Sequence, residues 1–191
     1  MKTFIKNYIQ DSIDTKSKIL ADESLTERIQ KAAEIIISAY KNNKKVLTAG
    51  NGGSAGDAQH IAAELVSKFF LERPALCAIA LTTNTSILTS VGNDYEHKLV
   101  FARQIEAHAN SGDVFIAIST SGNSQNILYA IKAAKNKGAV VIGLVGGKPS
   151  EMDNLCDITI KVPFEITPII QESHIMIGHI ICALVEKTMF A

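Results

Sequence analysis

The sequence predicts an α/β fold in which helices cover both faces of a parallel sheet. Five short apolar segments, each bounded by Gly, Ser or Asn, have the composition of strands buried on both faces. They are residues 46–49, 76–81, 114–118, 139–145 and 158–162. Segments of helical periodicity separate them, and this alternation is typical of a parallel sheet. The chain has 191 residues without a repeat or a low-complexity linker, so we expect one domain over 1–191.

Two helices are expected before the first strand. Apolar residues recur at helical spacing in residues 4–13 and again in residues 25–40. Between these stripes, Ser24 and Glu27 have the spacing of a capping box, which predicts that Ser24 caps the second helix. These helices are expected to be an N-terminal extension, residues 1–43.

The α/β core is expected over residues 44–191. Its predicted helices are residues 57–70, 97–110, 124–137 and a final helix that begins near Pro168. Thr167 before Pro168 fits a cap followed by a proline at the first helical position. The long polar segment 82–97, which contains Asn93 and Asp94, is expected to be a loop, and loops of that length are often functional.

Charge and cysteine content exclude several classes of protein. Lys and Arg total 19, Asp and Glu total 19, and no basic cluster of five occurs, so a nucleic-acid partner is not expected. Cys77, Cys156 and Cys182 show no metal-ligand or disulfide spacing and are expected to be reduced thiols. The most apolar stretch, residues 175–185, is shorter than the roughly twenty residues a membrane span needs. The N-terminus lacks a long apolar segment, so we expect a cytoplasmic protein without a membrane anchor.

Two loops rich in Gly and Ser are candidates for binding an anion. Residues 49–56 follow the first predicted strand and residues 119–124 follow the third. Loops at the carboxyl ends of parallel strands lead into helix N-termini, whose free N–H groups attract anions. The alternative is that both are ordinary turns, in which Gly, Ser and Asn also dominate. Neither loop matches a dinucleotide or Walker motif, so a phosphorylated small molecule fits better than a nucleotide.

Candidate acid–base and metal groups lie on two predicted helices. His60 and Glu64 are four residues apart and share one face of a helix. On the final helix, Gln171 can share a face either with His174 or with His179, and periodicity does not choose between them. The alternatives are a surface His–Glu pair and a histidine buried in the core.

Four stretches make the chain resemble the phosphoheptose isomerases, which are sedoheptulose 7-phosphate isomerases built on the SIS (sugar isomerase) domain. The stretches are AGNGGSAGDAQHIAAEL, LTTNTSILTSVGNDYE, ISTSGNSQNILYAIKAAK and TPIIQESHIMIGHII. STSGNS alone indicates a sugar-phosphate-binding SIS domain, whereas DAQHxxxEL together with QExHxxxxH is much more specific. The resemblance covers nearly the whole chain.

The resemblance implies a three-layer sandwich around a five-stranded parallel sheet, with the active sites built between the subunits of a homotetramer. One Zn²⁺ per subunit would be bound by His60, Glu64, Gln171 and His179, and Glu64 and His179 would be the catalytic acid–base pair. The phosphate and the sugar hydroxyls would be bound by Asn51, Gly52, Gly53, Glu64, Asn93, Asp94, Ser119, Thr120, Ser121, Ser124 and Gln171.

The implied reaction is the conversion of sedoheptulose 7-phosphate to D-glycero-D-manno-heptose 7-phosphate, which supplies heptose for lipopolysaccharide or capsule. Moving a carbonyl from C2 to C1 requires a base, and a metal can polarise the carbonyl. An alternative is a non-catalytic SIS-domain protein that binds the replication initiator, but such relatives lack the metal and acid–base residues present here. A sugar-phosphate sensor is disfavoured because no DNA-binding segment accompanies the domain.

Overall fold

A computed structural model describes residues 1–191 and contains one five-stranded sheet, which confirms the predicted fold class. The strands are β1 (Val46–Ala49), β2 (Ala78–Ala80), β3 (Val114–Ser119), β4 (Val140–Val145) and β5 (Ile158–Lys161). All neighbouring strands are parallel, in the order β2-β1-β3-β4-β5. The order reverses between β1 and β3, and open sheets of this kind bind ligands at such a reversal.

Helices cover both faces of the sheet and form the outer layers of a three-layer sandwich. They are α1 (Lys2–Ala21), α2 (Glu23–Lys41), α3 (Gly53–Val66), α4 (Thr85–Asp94), α5 (Ala102–His108), α6 (Gln125–Asn136), α7 (Met152–Leu155) and α8 (Thr167–Phe190). Side chains alternate along β3, so Ile116 packs into the cluster that includes α2, α3 and α8, whereas Phe115 packs with α5 and α6.

The predicted cap of the second helix was wrong. Helix α2 begins at Glu23, and its N-cap is Asp22, whose side chain accepts a hydrogen bond from the Leu25 backbone N–H at 3.0 Å. Ser24 therefore lies inside the first turn of the helix. Asp and Ser are comparable caps, so the backbone path out of α1 decides which of the two residues occupies the position.

The predicted loop at residues 82–97 was also wrong, because it contains α4. Asn84 caps this helix by accepting a hydrogen bond from the Ile87 backbone N–H at 3.1 Å. The predicted helix at 97–110 is divided into a short 3₁₀ turn, His97–Leu99, and α5. Helix α3 starts at Gly53, four residues before its predicted start, and ends at Val66.

Helix α8 is long and apolar enough to cross a membrane by length and composition, with a mean hydropathy of 1.4 over 18 residues. Half of that window is buried, and α8 contacts α2 and α3. The core helix of a globular protein has these same properties.

The predicted cap of α8 was wrong by one residue. Pro168 lies in the first turn of α8 as predicted, but the N-cap is Ile166 and not Thr167.

Candidate functional site

The two Gly- and Ser-rich loops lie side by side at the carboxyl ends of β1 and β3. Gly52, with a φ of 53°, occupies the left-handed region that favours glycine and leads directly into α3. Asn51 and Asn126 join the loops through two amide hydrogen bonds, of 2.9 and 2.8 Å, in which each side chain donates to the other. Asn126 lies on α6 at an ordinary helical position, so no motif in the sequence pointed to it.

Three serine hydroxyls converge at the N-terminus of α6. The Ser119 Oγ lies 3.0 Å from the Ser124 Oγ and 3.4 Å from the Ser121 Oγ. A cavity of about 250 Å³ opens beside them and is lined by ten residues, among them Thr120, Ser121 and Lys148. Hydroxyl groups and unpaired backbone N–H groups at a helix N-terminus suit the binding of a phosphate group.

Three potential metal ligands from two helices meet at one point. The His60 Nε2 lies 3.0 Å from the Glu64 Oε1 and 3.4 Å from the His179 Nε2, and one donor atom from each residue lies within 4.8 Å of the others. Two nitrogens bound to one tetrahedral zinc at about 2.0–2.1 Å would be roughly 3.3–3.4 Å apart. The observed separation of the two imidazole nitrogens matches this, so the donor set fits a zinc ion.

His174 does not belong to this cluster. It is fully buried, and its Nε2 donates to the Val145 carbonyl oxygen at 3.1 Å, while its Nδ1 has no partner. Burial lowers the pKa of His174 to about 4, since the charged form loses its hydration. The structure therefore brings His179, and not His174, together with His60 and Glu64.

Gln171 lies on α8, and its side-chain amide packs against the start of α3, beside the first loop. A Cβ added to Gly53 would be only 2.6 Å from the Gln171 Nε2, so glycine is required for the amide to lie there. The same Nε2 is 3.5 Å from the Ser54 Oγ, and Gln171 makes no hydrogen bond to the two histidines or to Glu64. Ligation of zinc by Gln171 stays a prediction.

Asn93 and Asp94 lie at the C-terminal end of α4, where both are exposed. The Asn93 Nδ2 donates to the Asp94 Oδ1 at 2.8 Å, and neither side chain hydrogen-bonds to the serine loop or to the histidine cluster. The chain alone does not bring them together with the other predicted substrate-binding residues.

Asp57 lies near His60, and no motif in the sequence singled it out. It precedes His60 by one turn of α3, and its Oδ2 is buried without a partner. Burial raises the pKa of Asp57 to about 6, although the charge of His60 acts in the opposite direction. The three-residue spacing to His60 was the available signal, because it places both side chains on one helix face.

The fold and the two loops define a SIS-domain protein, and the SIS domain family model matches residues 7–146. The chain is 58% identical over 190 residues to phosphoheptose isomerase of Clostridium acetobutylicum, covering 100% of this chain and 97% of the relative. Identity to phosphoheptose isomerase of Aneurinibacillus thermoaerophilus is 55% over 190 residues, covering 100% and 96%.

Solved structures agree with these sequence matches. A phosphoheptose isomerase structure from Neisseria gonorrhoeae superposes with a TM-score of 0.91 at 38% identity, covering 97% of this chain and 98% of the other. One from Francisella tularensis gives a TM-score of 0.93 at 37% identity, covering 97% of both chains. The chain belongs to the phosphoheptose isomerase family of SIS-domain proteins.

Proposed function

We propose that this protein is a zinc-dependent aldose–ketose isomerase that converts sedoheptulose 7-phosphate to D-glycero-D-manno-heptose 7-phosphate. The product would supply heptose for lipopolysaccharide or capsule, and the enzyme would act in the cytoplasm. The relatives named phosphoheptose isomerase support this assignment along the whole chain. The observation that carries the proposal is the meeting of His60, Glu64 and His179 in a structure that also contains a serine-rich anion loop.

The phosphate group would be bound by the loop before α6. Ser119, Ser121 and Ser124 offer neutral hydroxyl donors, and the helix N-terminus adds backbone N–H groups and a partial positive charge. The sugar hydroxyls would be bound by the remaining predicted residues, which are Asn51, Gly52, Gly53, Asn93, Asp94, Thr120 and Gln171. The Asn51–Asn126 amide pair would keep the two loops in register.

One zinc ion per subunit would be held by His60, Glu64 and His179, with Gln171 as the fourth ligand. Two imidazoles and a carboxylate are a donor set that zinc prefers. When bound, zinc would supply a Lewis acid that polarises the substrate carbonyl. The side chains of His60, Glu64 and His179 converge in the structure. Gln171 lies beside Ser54, so its ligation of the zinc is an addition to that geometry.

The chain itself would move the proton. A base removes the proton from C1 of the ketose and returns it to C2, while a hydroxyl proton moves from O1 to O2, so a cis-enediol lies between ketose and aldose. Glu64 and His179 are the acid–base candidates, and a partly buried carboxylate and an imidazole both suit this task near neutral pH. Both side chains contact His60, at 3.0 and 3.4 Å, which supports their action on one substrate.

The active protein would be a homotetramer with sites shared between subunits. Helix α1 exposes large apolar side chains that one subunit leaves uncovered, among them Phe4, Ile9 and Ile13 with 72%, 53% and 51% exposure. Apolar stripes of this extent mark protein–protein contacts. The non-catalytic alternative gains no support, because the three donors that such relatives lack converge here.

The test is incubation of zinc-loaded protein with sedoheptulose 7-phosphate, followed by NMR. We expect signals of the seven-carbon aldose phosphate, their loss after a chelator, and their return with zinc. Absence of aldose from the zinc-loaded protein would overturn the proposed function.

A further inference from the structure

A buried ion pair joins the end of α3 to α8, and the proposed reaction does not use it directly. The Arg73 Nε donates to the Glu186 Oε2 at 3.0 Å, and the two side chains are 1% and 2% exposed. Arg73 lies between α3 and β2, and Glu186 lies on α8. Burying two charges is costly unless both are fully paired, so such a pair requires further partners.

Glu186 finds these partners in the turn that follows α3. Its carboxylate accepts hydrogen bonds from the backbone N–H groups of Phe69, Phe70 and Leu71 at 2.8, 2.6 and 2.7 Å. Burial alone would raise the pKa of Glu186, but these donors and Arg73 lower it to about 2. The carboxylate therefore stays ionised and fixes the turn on α8.

Arg73 holds the last turn of α3. Its Nη2 donates to the Glu64 carbonyl oxygen at 2.8 Å, and its Nη1 donates to the Leu65 carbonyl oxygen at 2.9 Å. Carbonyl groups in the last turn of a helix lack partners within the helix and need others. The guanidinium thus binds the backbone of the residue whose carboxylate lies in the histidine cluster.

The turn bound by Glu186 also contacts the other half of that cluster. The ring of Phe69 lies against the ring of His179, with 5.6 Å between the centroids. His179 and Glu186 are seven residues apart on α8, which is two helical turns, so they share one face. Arg73 therefore links the ion pair to the backbone of Glu64. Glu186 links it to Phe69, whose ring contacts His179.

We infer that Arg73 and Glu186 are positioning residues that set the separation of Glu64 and His179, and thereby the affinity of the site for its metal. This inference rests on the proposed zinc site. Residues that support metal ligands typically change metal affinity by about 10- to 100-fold when they are replaced. A change in the end of α3, or in residues 69–71, would move Glu64 relative to His179 without removing either ligand.

The experiment compares Glu186→Gln and Arg73→Lys with a matched structural control, Asp113→Asn. The Asp113 side chain is 2% exposed, pairs with the Lys45 ammonium at 2.6 Å and accepts backbone N–H groups. It lies at the amino ends of β1 and β3, opposite the site. All three variants remove or weaken one buried ion pair, so we expect each to lower the free energy of unfolding. Only Glu186→Gln and Arg73→Lys alter a pair that contacts the backbone next to the metal ligands.

Zinc affinity is measured without substrate, by competition with a chromophoric chelator, and urea unfolding gives the stability of each variant. We expect zinc to bind about 10- to 100-fold more weakly to Glu186→Gln and Arg73→Lys, and within about threefold of the parent for Asp113→Asn. We also expect kcat to fall more than KM rises, because the serine loop is untouched. Equal zinc affinity in all variants, or an equal loss in the control, would overturn the inference.

Phe69→Leu covers the case in which the charge variants do not fold. It keeps the backbone N–H and the ion pair but removes the ring that contacts His179, and we expect several-fold weaker zinc binding. Unchanged affinity in a folded Phe69→Leu would also overturn the inference. Failure of the parent protein to bind zinc would instead overturn the proposed metal site, so the two failures are distinguishable.

Discussion

Lowering the pH should destabilise the fold through His174, which is buried in its neutral form. The pKa of His174 is lowered from 6.5 to about 4 by burial, while the unfolded chain keeps the ordinary value. Between these two values the unfolded state binds more protons, so stability is complete above pH 6.5 and is lost as the pH falls toward 4. Each tenfold difference in proton affinity is worth about 1.4 kcal/mol, which gives a full loss of about 3 kcal/mol. At about pH 5 the loss is about 2 kcal/mol.

The assay is urea unfolding of the parent protein and of His174→Gln at about pH 7.5 and about pH 5. The glutamine amide can donate to the Val145 carbonyl oxygen as His174 does, but it does not titrate. All other titrating groups are common to both proteins, so the difference between the two pH responses isolates His174. If the parent protein loses no more stability than His174→Gln, protonation of buried His174 does not cause the acid destabilisation.

Three further outcomes are expected. Ser121→Ala combined with Ser124→Ala should weaken sugar-phosphate binding by about a hundredfold or more, because each hydrogen bond to a charged group is worth about 1.5–3 kcal/mol. Titration calorimetry measures this affinity, and an unchanged value would contradict phosphate binding by the serines. Glu64→Gln should bind sugar phosphate normally, but its turnover, measured by NMR, should fall by about a hundredfold or more; near-parent turnover would exclude Glu64 as the base. If the protein is the proposed homotetramer, Ile9→Asp combined with Ile13→Asp should lower its mass in light scattering, and an unchanged mass would place the interface elsewhere.

The strands and the paired loops could be predicted from the sequence because both signals are local. A short apolar run such as 114–118 has few alternatives to a buried strand once turn residues bound it. The observed β3 differs from that prediction by one residue, Ser119. The loops after β1 and β3 follow from the rule that parallel strands end at one edge.

Helix α4 could not be predicted in this way, because its sequence combines turn-forming residues with a short apolar stripe. Val91 is its only buried residue, so the periodic signal was weak, and the cap by Asn84 depends on a backbone path that spacing does not fix. The choice of Asp22 over Ser24 as the α2 cap has the same cause. Local patterns of this kind indicate that a helix boundary is near but not which residue forms it.

The choice between His174 and His179 depends on which face of α8 packs against the sheet. Both histidines occupy helical positions compatible with Gln171, and α8 is apolar on several sides, so its periodicity is uninformative. Long-range contacts decide the matter, since Val145 accepts from His174 and α3 meets His179. Sequence spacing carries no information on such contacts.

Donors from α3 and α8 are proposed to form one zinc-dependent reaction centre. The decisive measurement is the zinc content and isomerase rate of His179→Ala and of His174→Gln, both at neutral pH. We expect His179→Ala to lose zinc and turnover together, whereas His174→Gln should keep both close to the parent values. A His179→Ala protein with full zinc and full rate, beside a His174→Gln protein that has lost them, would contradict it.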